Sequence, residues 1–344
     1  MLILLTNKYE TYFDNFSDAT INWRCSYQFW KIVLKVDGYD VDSYNIKPEG
    51  KFYATSIGII FRFFLIPFYI LFHEKYDIIH CHVAGTYRKL YISLAKPLFF
   101  KGAKLIFTLH GDVRPLLDGL TVFAMCKADR LICVQKGDSA VLPNKLNDRS
   151  VDIPAFIMPA KVTEESVPTD ILNFVKNKKY PLILFYGGVV FNEQYNDLYG
   201  INDVVDMYMS LRAKHIIVQM LMLVSFKNNA DEVYLNKVKD RLRGDKNILL
   251  VVNGGVDMLP LFKYADLYVR PTKTDGDSLA VREALYMRCP VVASDKAVRP
   301  EGVAVYTSSK NFLDLSEKYI MGKVEVSEQG KNFYNQIKEV YGTC

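Results

Sequence analysis

Tyr268-Val269-Arg270-Pro271-Thr272-Lys273-Thr274-Asp275-Gly276-Asp277-Ser278-Leu279-Ala280-Val281-Arg282-Glu283-Ala284-Leu285 is the stretch on which the reading of this chain turns. The apolar run Ala265–Val269 reads as a buried strand. Pro271 and Gly276 break it into a tight loop. Ser278 is a good N-cap residue, and Leu279–Met287 then reads as helix. A strand–loop–helix of this kind leaves backbone N–H groups at a helix start, where an anion can sit. Asp275 and Glu283 flank that start. Like charge keeps them off a phosphate, yet both accept hydrogen bonds from hydroxyls. Amides for phosphate beside carboxylates for sugar hydroxyls are what a nucleotide-sugar site needs.

The stretch resembles the family-4 retaining glycosyltransferases. Asp275 and Glu283 stand at the positions of that family's Glu-x7-Glu motif, with Asp for the first Glu. Pro290-Val291-Val292-Ala293-Ser294-Asp295 matches the strand that follows the motif. The resemblance implies an α/β chain of the GT-B fold, two Rossmann-like doubly wound domains facing across a cleft. It implies a nucleoside-diphosphate sugar as donor, bound by the second domain, and a glycan or lipid-linked glycan as acceptor, bound by the first. Bacterial surface polysaccharide synthesis is the setting the family most often serves. Glu283 is expected to take the ribose hydroxyls and Asp275 those of the sugar. Thr272, Asp277, Ser278 and Leu279 are donor-binding candidates on the same loop.

The chain has 344 residues, half of them hydrophobic, and a net charge of +5. That is enough material for two cores. The charge is mild and dispersed, without a basic stripe interleaved with aromatics, so nucleic acid is not expected as a partner. Six scattered cysteines with no Cys-x-x-Cys pair read as reduced, buried thiols rather than disulfides or a zinc site. Leu2–Leu5 already reads as a strand, which leaves no room for a signal peptide and points to the cytoplasm. The expected division is an acceptor domain over 1–165, a donor domain over 175–326, and a terminal helix near 327–344 that packs back on the first.

Taken in order, Asn15–Lys35 reads as helix and Tyr39–Tyr44 as a second strand. The loop Tyr12–Ser17 has no glycine, unlike the Gly-rich loop of many relatives. Ile57–Phe72 is almost continuously apolar but shorter than the ~20 residues that span a bilayer. A helix buried against the sheet and a helix touching a membrane surface both fit it, which keeps peripheral contact with the inner face of the membrane open. Asp77–His82 is a buried strand with two histidines, which the reading expects to diverge rather than to share a ligand. Lys104–Leu109 is the next strand, closed by His110-Gly111-Asp112. This segment resembles the family's Thr-x-His-Gly, and the resemblance places His110 in the donor-sugar pocket. A structural histidine is the plain alternative.

Lys161–Lys179 is polar and reads as the interdomain connection. Pro181–Tyr186 opens the second domain and is followed by Gly187 and Gly188. In relatives this glycine precedes an Arg, and a Lys-Gly follows about a dozen residues on, both bases binding the diphosphate. The matching positions here are Gly188 and Tyr199-Gly200, and no Lys or Arg occurs from Gly187 to Leu211. Arg270 and Lys273 are the candidates to supply the missing charge. For Arg270 a pairing with Asp275 or Asp277 competes evenly, and Lys273 reads as solvated. Gly255 and Val256, in the loop after strand Asn247–Val252, are expected to approach the nucleobase, with a simple tight turn as the alternative. Met258–Tyr264 reads as a short helix, and Asn311–Ile320 and Ser327–Val340 as longer ones.

Asp275-Gly276-Asp277 also matches the metal-binding Asp-x-Asp of the other glycosyltransferase fold. Its late position, and Glu283 at the family spacing, favour a site without metal or other cofactor. A glycoside hydrolase lacks a second acid in a suitable place. A GT-B nucleotide-sugar epimerase and a non-catalytic sugar-nucleotide binder remain as alternatives.

Overall fold

The computed structural model describes residues 2–7, 40–45, 77–82, 86–99, 102–110, 113–154, 156–157, 162–189, 197–225, 229–322 and 330–343. The expected helix at 15–35, the loop at 12–17 and the apolar segment at 57–72 lie outside them. Among the described residues, one compact unit holds everything up to Ile157 together with 333–343, and the other holds 162–332.

In the first unit the order is β1 (Leu2–Asn7), β2 (Asp40–Asn45), β3 (Ile78–His82), α1 (Thr86–Phe99), β4 (Lys104–Leu109), α2 (Gly119–Met125), β5 (Arg130–Cys133), α3 (Asp138–Val141), α4 (Asn144–Asn147) and β6 (Ser150–Asp152). The strands form one sheet in the order β2-β1-β3-β4-β5-β6, every pair parallel. Parallel strands covered on both faces read as continuous apolar runs. Leu105, Ile106 and Phe107 of β4 are all fully buried, which fits that rule. Asp118 caps α2, accepting from the N–H groups of Leu120 (3.1 Å) and Thr121 (3.0 Å).

The second unit runs α5 (Thr169–Lys176), β7 (Leu182–Gly188), α6 (Ile201–Ala213), β8 (Gln219–Ser225), α7 (Asn229–Leu242), β9 (Ile248–Val252), β10 (Leu267–Arg270), α8 (Leu279–Tyr286), β11 (Val291–Ser294), β12 (Val303–Tyr306) and α9 (Ser309–Ile320). Its sheet is also all parallel, in the order β12-β11-β10-β7-β8-β9. The winding goes outward from β7 through β8 and β9, then returns to β10 on the other side. The switch point therefore lies between β7 and β10, and ligands of doubly wound sheets bind at the carboxyl ends of such strands.

Three expectations are corrected. The stretch Lys161–Lys179 contains α5, and Val167, Ile171 and Val175, four residues apart, are buried in the second core. The apolar stripe was hidden by the charged residues between its members. At Met258–Tyr264 the chain forms only one 3-10 turn, Leu259–Leu261. The last helix, α10 (Tyr334–Gly342), begins at Tyr334 rather than Ser327. Gly330 lies against the end of α8, its N–H donating to the Leu285 carbonyl at 3.0 Å, and a Cβ there would lie 2.7 Å from the Tyr286 nitrogen. No helix among the described residues is long and apolar enough to cross a membrane.

α10 is fastened inside the first unit. The Phe333 N–H donates to the Phe156 carbonyl at 3.3 Å, and the Tyr341 hydroxyl meets His80 Nδ1 at 2.7 Å. His80 is fully buried, so removing its partner leaves a desolvated nitrogen behind. Tyr341→Phe is expected to cost ~1–3 kcal/mol. Urea unfolding followed by circular dichroism checks this, with a lower midpoint expected at an unchanged slope.

Candidate functional site

The carboxyl ends of β7 and β10 are brought together by glycines. A Cβ on Gly187 would lie 2.8 Å from Phe185 Cζ and 2.9 Å from Tyr199 Cβ. Gly200, at φ +70°, precedes α6, and a Cβ there would lie 2.6 Å from the Pro271 carbonyl oxygen. Only a residue without a Cβ fits such an approach. The Lys273 N–H donates to the Leu198 carbonyl at 2.8 Å, which ties the loop before α6 to the loop after β10. Gly188 ends β7 against Ser225.

Asp275 is the centre of the loop after β10. Its Oδ2 accepts from Arg270 Nε at 3.1 Å and from Arg299 Nη1 at 3.2 Å, with the Thr272 hydroxyl at 3.4 Å. The three side chains are 14%, 8% and 2% exposed for Asp275, Arg270 and Arg299. Burial pushes the Asp275 carboxyl up, but the adjacent Arg270 and then Arg299 pull it below the usual range. Arg270 also donates to the Tyr186 carbonyl at 3.2 Å and lies over the Tyr199 ring, 5.0 Å from its centroid. Arg299 is held from behind, Nε by the Ser294 carbonyl at 3.0 Å and Nη2 by Thr272 Oγ1 at 2.9 Å and Ser294 Oγ at 3.0 Å. Arg270 makes the pairing with Asp275 that its position suggested. Arg299 was missed. Its only sequence signal was an arginine before a proline in a loop after an apolar strand.

The remaining loop residues have separate places. Asp277 pairs with Arg282. Lys273, read as solvated, pairs instead with Asp203 at the start of α6. Ser278 stands at the N-cap of α8, but its side chain makes no capping bond. The first intrahelical bond is Arg282 N–H to the Ser278 carbonyl at 3.2 Å, so the Leu279, Ala280 and Val281 N–H groups make no hydrogen bond among the described residues. Gly255, at φ +55°, turns the chain after β9, while the Val256 side chain is buried in the core. Any approach of Val256 to a ligand is through its backbone.

Glu283 lies a turn inside α8, and no described residue hydrogen-bonds its carboxyl. Burial, with the neighbouring Asp257 carboxylate second, pushes it up to about 8. It is therefore largely protonated at neutral pH. One oxygen of Asp275 is bound by Arg270 and Arg299 and one of Asp277 by Arg282, and no group of three or more metal-binding side chains occurs among the described residues.

His110 belongs to the first unit, just beyond β4, and is partly exposed. Its Nε2 meets His82 Nδ1 at 3.1 Å. Burial, then the Lys89 ammonium, brings its imidazole down to about 4. The expected divergence of His80 and His82 is wrong. Residues two apart on a strand share a face, and their ring centroids are 4.3 Å apart.

No family model matches the sequence, and no curated protein matches it. Solved structures do. A glycosyltransferase from Rickettsia africae is 14% identical, with a TM-score of 0.62 over 99% of this chain and 93% of that one. The lipopolysaccharide outer core galactosyltransferase WaaB, in its apo form, is 12% identical, with a TM-score of 0.58 over 99% and 94%. An E. coli protein described as trehalose-6-phosphate, bound with UDP-2-fluoro glucose, is 10% identical, with a TM-score of 0.61 over 100% and 96%. The likeness shows the fold, GT-B as expected, over nearly the whole chain.

Glu283 yields a stability test. A carboxyl raised in the folded state binds its proton more tightly there than in the unfolded chain. Its contribution is complete below about pH 4.5, the ordinary value, and is lost as pH rises to about 8. Glu283→Gln carries no such titration. The variant is expected to gain stability relative to the natural chain between pH 5 and pH 9, measured by paired denaturant melts. A constant difference across that range contradicts the raised carboxyl.

Proposed function

We propose that this chain is a glycosyltransferase that takes a sugar from a nucleoside-diphosphate sugar held by its second unit. One observation carries the reading. At the switch point of the second sheet, two buried guanidiniums, Arg270 and Arg299, share the single carboxylate of Asp275. Asp277 and Lys273 are balanced by Arg282 and Asp203, and Glu283 is mostly neutral. Among these side chains one positive charge is left over beside the unbonded N–H groups that start α8, with the Asp257 carboxylate near Glu283 outside this tally. Surplus cation and helix-start amides in one crevice suit a diphosphate. The charge that relatives place on an Arg and a Lys after β7 is supplied here by Arg270 and Arg299.

In this reading the Glu283 carboxyl meets the ribose, Asp275 Oδ1 the sugar, and the backbone at Gly255 and Val256 the base. Bound hydroxyls favour the charged form of Glu283, so nucleotide binding releases a proton below about pH 8. His110 is assigned to the sugar. Transfer proceeds with retention, the leaving diphosphate helping to deprotonate the acceptor, and stabilisation of that leaving group is the protein's main contribution. The acceptor is a glycan or lipid-linked glycan at the inner face of the bacterial membrane, which the peripheral protein meets from the cytoplasm. The likeness to a lipopolysaccharide transferase supports that setting by analogy alone.

Calorimetric titration tests the clamp. An ammonium does not copy a bidentate guanidinium. Arg270→Lys and Arg299→Lys are each expected to weaken UDP or GDP about tenfold or more, from the ~1.5–3 kcal/mol of a charge-assisted hydrogen bond, and the free nucleoside far less. Equal loss for both ligands returns the two arginines to a structural role. Tight nucleotide-sugar binding without turnover on any acceptor makes the chain a binding protein.

The loop acids are committed to arginines, so transfer is expected to proceed without a divalent cation. Donor turnover unchanged in EDTA is the expected result. Turnover abolished by EDTA and restored by Mn²⁺ or Mg²⁺ reassigns Asp275 and Asp277 to a metal.

A further inference from the structure

The first unit contains three imidazoles in a row, and they are not equivalent. His80 is fully engaged, Nδ1 with the Tyr341 hydroxyl at 2.7 Å and Nε2 with the Thr108 hydroxyl at 2.6 Å. It joins β3 to β4 and α10. His82, one pleat further on the same face, reaches the other way. Its Nδ1 meets His110 Nε2 at 3.1 Å, with the ring centroids 5.3 Å apart. A hydrogen bond between two neutral imidazoles needs one nitrogen with its hydrogen and one without. The tautomer of either ring therefore dictates the tautomer of the other.

Burial favours the neutral form of both rings. Burial brings His82 well below its usual value, with the His80 and His110 rings adding to it, and Lys89 of α1 faces His110 with a positive charge. One added proton leaves a donor and an acceptor between the rings, so only protonation of both would set two donors face to face. The tautomer and ring rotation of His110 are both restrained by its bond to His82.

We propose that His82 is a positioning residue, whose Nδ1 fixes the tautomer and orientation with which His110 meets the substrate. The functional part rests on the assignment of His110 to the donor sugar, but the pairing itself can be read without any substrate. Long-range ¹H–¹⁵N correlation spectra of the full chain with labelled histidine resolve protonated from bare ring nitrogens, and the chain has only five histidines. In the natural chain, one of His82 Nδ1 and His110 Nε2 is expected to carry a hydrogen, and the other none, from pH 6 to pH 8. Two protonated or two bare nitrogens overturn the proposal. His82→Phe keeps a ring without the hydrogen bond, and His110 is expected to relax to a mixture of tautomers. Sugar-transfer kcat should fall on the order of ten- to a hundredfold, the scale of a misplaced reacting group, at unchanged nucleoside diphosphate Kd. His82→Asn, whose amide stands near the Nδ1 position, should restore one tautomer and most of kcat. An unaltered His110 tautomer in the Phe variant overturns the proposal whatever the activity. The expected tautomer changes in a chain that transfers no sugar support the pairing and count against the transferase reading alone.

Discussion

One carboxylate oxygen, Asp275 Oδ2, receives two buried guanidiniums, and the second unit's carboxyl-end crevice depends on that contact. Arg270 ends β10, Asp275 lies in the loop that follows, and Arg299 comes from the segment between β11 and β12. Three pieces of chain are thereby pinned at one atom. Arg299 extends the fastening to Thr272 and Ser294, and Ser294 donates its hydroxyl back to the Thr272 carbonyl. Burying two cations with one anion is costly, because desolvation opposes it and one charge stays unbalanced. In the proposed reading, a bound diphosphate completes that arrangement.

The acids of the loop illustrate how environment separates like groups. Asp275 is held charged by the guanidiniums beside it, whereas Glu283, eight residues on, is held mostly neutral by burial and by Asp257. The two acids of the loop thus differ in their proton affinity. The first can only accept hydrogen bonds. The second donates one until ligand hydroxyls or higher pH remove its proton.

The fold was largely legible because parallel strands are short apolar runs between turn residues, and almost every such run became a strand. The switch-point crevice was legible too, since Pro271, Gly276 and Ser278 punctuate it. What escaped detection was long range or masked by composition. Arg299 is 24 residues from Asp275, and nothing local marks it as a partner. α5 carries its apolar stripe inside a charged segment. The facing of His80 and His82 was misjudged although strand periodicity alone settles it. Ser278 was placed at its helix start, but whether its hydroxyl caps depends on a rotamer that sequence does not encode.

Position 199 draws these threads together. This chain has Tyr199 before Gly200, and its ring lies under the Arg270 guanidinium. A lysine there would repel Arg270 at close range in a crevice already carrying a surplus cation. An aromatic face instead attracts the guanidinium and adds no charge. Gly187 gives the ring room, and Gly200 lets the same turn press on Pro271. The neutral ring at 199 and the arginine at the end of β10 therefore suit one another. A cation at the end of β10 is compatible with a neutral aromatic neighbour at 199, and Gly187 and Gly200 leave the space in which that neighbour fits.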